Sequence, residues 1–581
     1  MKIKLINEPI TENYMENLLY SRGVEDFEGF IHPSEEDLQR FKDIDDIYAG
    51  VKLIAKAIAE KQRIALIVDC DVDGFTSSSI LYQYLRRLEP ELVIDHYIHD
   101  GKQHGLEDMW EKLQNKNYGL ILVPDAGSND SKYADEIETP VLVIDHHILE
   151  DEVSSNYITL INNQTSKFYH NKDLSGAGMA YQFCRAMDEV FEKDWADDYI
   201  DLAALGVCAD MMSGLEIENQ YLWKKGFSKV NNYFFLTVAR KQAYSITGKM
   251  NATDAEIFEA LNPTSVAFYI VPMINAMIRI GTEAEKERLF AAFIDGHRLV
   301  PSNKRGAKGT MEEVAVESVR ECTNARNHQN KRRDEVMERL EQKIFKHDLL
   351  ENEVLFIRLD EDDDFPSVLN GLVAMQLSAK YKKPTIVARL NDEGYIRGSA
   401  RGLNASELTS FKDFLNSTGL FEYTAGHDNA FGISIANRDL DKFHEVANER
   451  LTAYNFGEDF YEVNFCRHAV DADLINIIND LGQYKHIWSQ QNDEALIYVD
   501  DINLTPDDIQ IIGKNKDTLR FEKNGIVYIK FFAKDLIEEL KQHSDIKLEV
   551  VATANLNVWN GRTTPQLAIK AYEVKNGRLE F

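Results

Sequence analysis

Ile64-Ala65-Leu66-Ile67-Val68-Asp69-Cys70-Asp71-Val72-Asp73-Gly74 is the stretch that decides the fold. Its apolar half reads as a strand buried on both faces. The strand runs into three Asp at alternate positions, closed by a Gly. Like charges this close raise one another's pKa and repel. A hard divalent cation removes that cost, because oxygen ligands suit Mg²⁺ or Mn²⁺. An acidic solvated turn is the competing reading of the motif taken alone. An EF-hand loop is excluded, because no bidentate Glu stands at the required offset. Strand alternation sends Cys70 to the face opposite the carboxylates, where it packs.

The pattern recurs. Leu120-Ile121-Leu122-Val123-Pro124-Asp125 is a second apolar run ending in Asp, and Val141-Leu142-Val143-Ile144-Asp145-His146-His147 a third. A fourth segment, Asp201 to Asp210, also ends in Asp and reads as a helix. Parallel α/β sheets assemble sites at the carboxyl ends of their strands. Helices over Val51–Gln62, Ser77–Leu88 and Glu107–Lys116 alternate with strands over 63–69, Leu92–His96 and the Asp125 and Asp145 runs. That alternation predicts a parallel sheet with right-handed crossovers.

The ordered set Asp69-x-Asp71-x-Asp73-Gly74, Pro124-Asp125-x-Gly127-Ser128-Asn129-Asp130, Asp145-His146-His147 and Gly206-x-x-Ala209-Asp210 resembles the DHH phosphoesterase family. Within it the chain looks like the RecJ-type single-strand-specific exonucleases. Leu174-Ser175-Gly176-Ala177-Gly178 is similar to a Ser-Gly-x-Gly segment of that group. Pro272-Met273-Ile274-Asn275-Ala276 with Arg279 is similar to its Pro-Arg-Ile-Asn-Ala-x-x-Arg stretch, with Met273 and Ile278 as departures. The resemblance implies a two-metal phosphodiesterase. Asp69, Asp71, Asp73, Asp125, His146 and Asp210 would share two Mn²⁺ or Mg²⁺ ions. Asp71, Asp73, His146 and His147 would be catalytic, with His147 on the scissile phosphate and Asp145 orienting an imidazole. Ser175, Asn275 and Arg279 would contact substrate phosphate.

Further along, Arg397-Gly398-Ser399-Ala400-Arg401 and Ala425-Gly426-His427 resemble the Gly-Ser-x-Arg and Gly-Gly-His motifs of the DHHA1 domain. Ser399, Arg401 and His427 would hold substrate phosphate across a cleft. The expected fold class is α/β and multidomain. Residues 1–50 form a helical cap, 51–215 the DHH domain, and 216–350 a helical region with a long connector. Residues 351–455 form the DHHA1 domain, and 456–581 an OB-like β-barrel. The connector, from Met311 to about Leu350, has no Gly or Pro, although its polar stretch at 324–333 could break it in two. The acidic run from Asp360 to Asp364 is read as a solvated loop. In the barrel, Trp559 is a candidate stacking residue, and Lys530 and Arg562 are candidate phosphate contacts.

The net charge is −32, which alone argues against nucleic acid. Basic clusters at Asn303–Lys308, Lys331–Arg333 and Lys380–Lys383 offset it locally. The five Cys form no Cys-x-x-Cys pair, which points to a reducing compartment without structural zinc. No run of 18 uninterrupted apolar residues occurs and the N-terminus has no signal-peptide core, so a cytosolic monomer is expected. Single-stranded DNA is the expected substrate, with a single-strand-binding protein or helicase as candidate partner. Two other readings stand: a DHH phosphodiesterase for cyclic dinucleotides, short oligoribonucleotides or pyrophosphate, and a non-catalytic DHH scaffold.

Overall fold

The structure is a computed structural model and describes residues 1–6, 13–99, 104–114, 116–150, 152–360, 367–513, 515–559 and 562–575. It divides into two units. One is Val24–Gln329 with His486–Asp493; the other is Met1–Gly23 with Asn330–Lys485 and Glu494–Phe581.

The first unit is built on β1 (Ile64–Val68), α1 (Val72–Leu88), β2 (Ile94–Ile98), β3 (Leu120–Pro124), β4 (Val141–Asp145), β5 (Ile158–Asn162), α2 (Gly176–Phe191) and α3 (Ile200–Ala209). The five strands pair in the order β2-β1-β3-β4-β5, all parallel. Every residue of β1, β3 and β4 is buried, as a sheet covered on both faces requires. Alternate residues feed two cores. Leu66, Leu122, Leu142 and Ile144 join the helices α1 to α3, while Ala65, Ile67, Ile121, Val123 and Val143 meet Leu106, Leu113 and Ile137 on the other face. Each such aliphatic contributes roughly 1.5–3 kcal/mol on burial. Strand order reverses between β1 and β3, so a crevice opens outside their carboxyl ends.

Several boundaries differ from expectation. The helix after β1 starts at Val72, five residues early, because Asp71 caps it by accepting from the Gly74 amide at 3.0 Å. Asp73 therefore stands on a helix, and strand alternation no longer governs Cys70. Thr76, Ser77 and Ser79 tolerate burial because each hydroxyl donates to a carbonyl of the preceding turn. Among the described residues of Glu107–Lys116 only Trp110–Leu113 is helical. The run Pro263–Ile280 is the one helical stretch among the described residues long and apolar enough to cross a membrane. Its interior is interrupted by a π-turn at Val266–Ile270, and it packs on α1 as core.

A short hairpin, Leu299–Pro301 with Met311–Glu313, precedes the helix Val314–Lys346. That helix is unbroken through 324–333. Arg326 donates to Gln329 at 3.0 Å and Arg333 to Asn330 at 3.1 Å, so the polar stretch holds itself together at i, i+3 spacing.

The second unit contains a five-stranded mixed sheet in the order Phe421–His427, Ala430–Ala436, Tyr395–Arg401, Thr385–Leu390, Leu355–Leu359. It also contains a seven-stranded sheet that includes Leu496–Leu504, Thr518–Lys523, Ile526–Lys530, Ile546–Trp559 and Arg562–Val574. These are the five expected strands, but their ladders form an open sheet and not a closed barrel, because Phe465–His468 and Gln510–Ile512 occupy its two edges. Residues 1–50 do not form one cap. The strand Lys2–Leu5 pairs in parallel with Phe460–Val463, so residues 1–23 belong with the C-terminal part, and Val24 onward with the first unit. Conversely, His486–Asp493 is part of the first unit: the Gly214 amide donates to the Gln490 carbonyl at 2.8 Å and Gln220 to that of Ile487 at 3.1 Å. Of the acidic run, Asp360 pairs with Lys343 at 2.6 Å, and Glu361–Asp364 lie outside the described residues.

Candidate metal centre

The carboxyl ends of β1, β3 and β4, the start of α1 and the end of α3 converge. Asp69 follows β1, Asp71 and Asp73 open α1, Asp125 follows β3, Asp145 ends β4, and Asp210 caps α3. Asp125 is held at φ 65°, a left-handed conformation that Asp tolerates and that turns the chain sharply after Pro124. Donor atoms within 4.8 Å of one another form overlapping groups: Asp69, Asp71 and Asp125; Asp73, His146 and Asp210; Asp125, Asp145, His146 and His147. His146 Nε2 lies 3.2 Å from Asp125 and 3.4 Å from Asp210.

Burial dominates the electrostatics. It raises Asp69 and Asp73 to about 6 and Asp210 to about 8, and Asp125 well above the carboxylate range, with neighbouring carboxylates adding to each. Burial also lowers His146 to about 4, which leaves a neutral imidazole fit to ligate. Asp69 and Asp125 are each 2% exposed, and each keeps one buried oxygen, Oδ1, with no hydrogen-bond partner among the described residues. Leaving a buried acceptor unsatisfied costs about 1–3 kcal/mol. Oxygen donors of this number with one imidazole fit divalent cations of the Mg²⁺ and Mn²⁺ type.

Asp145 differs from the others. Its carboxylate accepts from the His146 amide (2.7 Å), the His147 ring Nδ1 (2.8 Å), and the amide and hydroxyl of Ser128 (3.1 and 2.6 Å). Burial alone would raise it, but these donors, His147 foremost, hold it below the usual range. The hydrogen bond in return raises His147 to about 9, so the half-exposed ring is a cation at neutral pH.

Two sequence families match the chain. Residues 63–207 fit the DHH family N-terminal domain, and residues 466–571 the RecJ OB domain. A Bacillus subtilis protein provisionally named an SPbeta prophage-derived single-strand DNA-specific exonuclease, YorK, is 32% identical over 569 residues, covering 96% of this chain and 95% of its own. The chain belongs to the RecJ-type DHH family. The single-stranded-DNA-specific exonuclease RecJ of Bacillus subtilis is 25% identical over 100% of this chain and 70% of its own. In fold, a crystal structure of RecJ with Mn²⁺ from Thermus thermophilus aligns with TM-score 0.71 and 18% identity, covering 99% of this chain and 80% of that one.

Ser175 departs from the phosphate-contact role that the family resemblance implies. It is fully buried, and its hydroxyl donates to Asp73 Oδ1 at 2.9 Å. The Gly176 and Ala177 amides, at the N-terminus of α2, donate to the two oxygens of Asp73 at 2.7 and 3.0 Å. Gly176 is required there, since a Cβ would run into the Asp125 carboxylate, and a Cβ on Gly206 would run into Asp73. Asn275 lies in the helix Val271–Ile280 against α1 and has a buried Oδ1 without a partner among the described residues; Arg279 is exposed in that helix's last turn.

The remaining expected contacts lie in the second unit. Register puts Arg401 and His427 both opposite Ala430, and Ser399 opposite Gly432, so all three share one sheet face among small residues. The Lys530 ammonium donates one of its three hydrogens to the Lys570 carbonyl, at 2.8 Å. Arg562 is exposed, and the Trp559 side chain lies outside the described part of the structure.

One residue escaped the sequence reading. His104 Nδ1 sits 2.7 Å from Asp69 Oδ2, with the Cys70 sulfur 3.9 Å from its Nε2. Asp69 raises this imidazole to about 11. His104 stands on a loop with no periodicity, and only its place next to Gly105 marks a turn.

Proposed function

We propose that the chain is a metal-dependent exonuclease that hydrolyses phosphodiester bonds of single-stranded DNA, 5′-to-3′ as its family resemblance implies, in DNA repair and recombination. The observation that carries the reading is the pair of buried oxygens on Asp69 and Asp125, without a hydrogen-bond partner among the described residues, inside a ring of raised carboxylates. Cations in such a ring remove the cost of holding its carboxylates ionised at neutral pH. In this reading Asp69, Asp71, Asp73, Asp125, His146 and Asp210 hold two Mn²⁺ or Mg²⁺ ions. Bound there, a metal pair lowers the pKa of water and neutralises charge on the phosphoryl oxygens.

The chain's own groups do the rest. Ser175 and the first amides of α2 fix the Asp73 carboxylate, which then needs no reorganisation. Asp145 and Ser128 fix the His147 ring through Nδ1, leaving Nε2 as the donor for a phosphate oxygen. Ser399, Arg401 and His427 present a face that admits a phosphodiester backbone closely, because Ala430 and Gly432 lie between them.

The test is turnover of single-stranded oligonucleotides labelled at each end, with Mn²⁺ or Mg²⁺, beside blunt duplex and a cyclic dinucleotide. Stepwise loss from one end, abolished in His146→Ala, is expected. The charge of −32 favours the small-substrate alternative, and faster turnover of the cyclic dinucleotide would replace the DNA reading with it.

A further inference from the structure

The hairpin before the long helix separates its charges. At its base four acids are occupied. Glu312 and Glu317 both pair with Arg320, Glu317 also accepts from the Asn303 amide at 3.2 Å, Glu313 pairs with His297 at 2.9 Å, and Glu321 with Arg288 at 2.6 Å. At its tip Lys304, Arg305 and Lys308 are exposed, and none has an acidic partner among the described residues. The tip is also preorganised. The Gly309 amide donates to the Ser302 carbonyl at 2.8 Å, that of Ser302 to Thr310 at 2.7 Å, and that of Ala307 to Lys304 at 3.0 Å. Gly306 and Gly309 stand at φ 85° and 84°, a conformation that glycine adopts freely. The Lys304 amide donates to the buried Ser302 hydroxyl, which ties the tip to the base.

Three cations on a fixed turn, within five residues and without an acidic partner among the described residues, stand out on a chain of net charge −32. The helix that leads into the hairpin packs against α1, which carries Asp73 near its start. The preceding helix, Glu283–Ile294, packs Phe290 and Phe293 on Phe75, two residues beyond Asp73, at ring-centroid distances of 6.0 and 6.2 Å.

We infer that the Lys304–Lys308 tip is a backbone clamp for single-stranded nucleic acid, each of its three cations taking one phosphate. This rests on the proposed nuclease reading and adds the surface that engages the strand outside the reacting bond. Phosphate is the fitting partner because the exposed side chains of the tip itself are cations, while the exposed Leu299 and Met311 lie on the strands below it.

The test is binding of labelled oligo-dT to the full chain in EDTA, where no cleavage occurs, across a salt series. The variant is K304Q/R305Q/K308Q, with K304R/R305K/K308R as the charge-preserving control. Each phosphate contact on a single strand contributes about 0.7 to the slope of log K against log salt. The neutral variant should therefore lose a slope of about 2, and bind on the order of 100-fold more weakly at 0.1 M salt than the wild type. The control should keep the wild-type slope. Metal-dependent hydrolysis of a dinucleotide, too short to reach both sites, should be the same in all three proteins. If the neutral variant keeps the wild-type slope, or the control loses it, the clamp is overturned. If wild-type protein hydrolyses no strand of any length, the nuclease reading fails instead.

Discussion

Replacing Ser175 with Ala separates two roles for one hydroxyl. In the structure it is fully buried, caps α2, and gives Asp73 one of its three hydrogen bonds. A hydrogen bond to a charged group contributes about 1.5–3 kcal/mol. Loss of a partner that orients a metal ligand typically costs 10–100-fold in metal affinity, or about 1.4–2.7 kcal/mol. The two ranges agree, so Ser175→Ala should weaken Mn²⁺ binding about 10–100-fold. The lost helix cap should lower stability by a further ~1 kcal/mol. Titration calorimetry with Mn²⁺ gives the first quantity and thermal unfolding the second. Binding of oligo-dT in EDTA should not change. If instead metal affinity is intact and oligonucleotide binding falls, Ser175 contacts substrate phosphate, as the family resemblance implies, and the positioning role is wrong.

His104→Ala should weaken Mn²⁺ binding about 10–100-fold by freeing Asp69 Oδ2, with His104→Asn restoring part of it; equal affinities in calorimetry would dismiss the contact. Gly206→Ala should cost about 1–3 kcal/mol by overpacking against Asp73, read as a lower Tm and weaker metal binding together. Metal-free protein should lose stability as pH rises. Asp69, Asp73 and Asp210 have folded pKa values of about 6, 6 and 8, raised above the unfolded value, so their stabilisation is present below about pH 4 and is lost as pH climbs through 6 to 8. His146, lowered to about 4, opposes this only below its unfolded pKa. Urea midpoints in EDTA at pH 6 and pH 8.5 read the slope, which Mn²⁺ should flatten; a rising midpoint would contradict the burial argument.

The strands that carry the centre were legible because a strand covered on both faces must be a continuous apolar run, and a carboxylate ending such a run stands out. Asp69, Asp125 and His146 follow such strands, whereas Asp210 ends an apolar helix. Local capping was less legible. Asp71 can end a strand or start a helix, and only the Gly74 amide decides. A Ser before glycines can serve a substrate or a neighbouring carboxylate, and the choice depends on a contact 102 residues away in the chain. His104 lies on a loop that no periodicity announces. The open seven-stranded sheet read as a barrel because five strands show in sequence, whereas the short edge strands that occupy its two ends do not.

The pairing of Lys2–Leu5 with Phe460–Val463 has a consequence for synthesis. Lys4 and its cross-strand partner Glu462 are separated by 458 residues. At roughly 5–20 residues per second, the ribosome delivers that partner about 23–92 s after the N-terminal strand. During that interval the first unit up to Gln329 emerges, while the edge of the Lys2–Leu5 strand stays unpaired. The last segment of the first unit, His486–Asp493, arrives later still. Neither unit can finish before the other is nearly made, so a ribosome stalled after Gln329 would leave the metal-binding half on display beside a sticky edge, a natural client for chaperones.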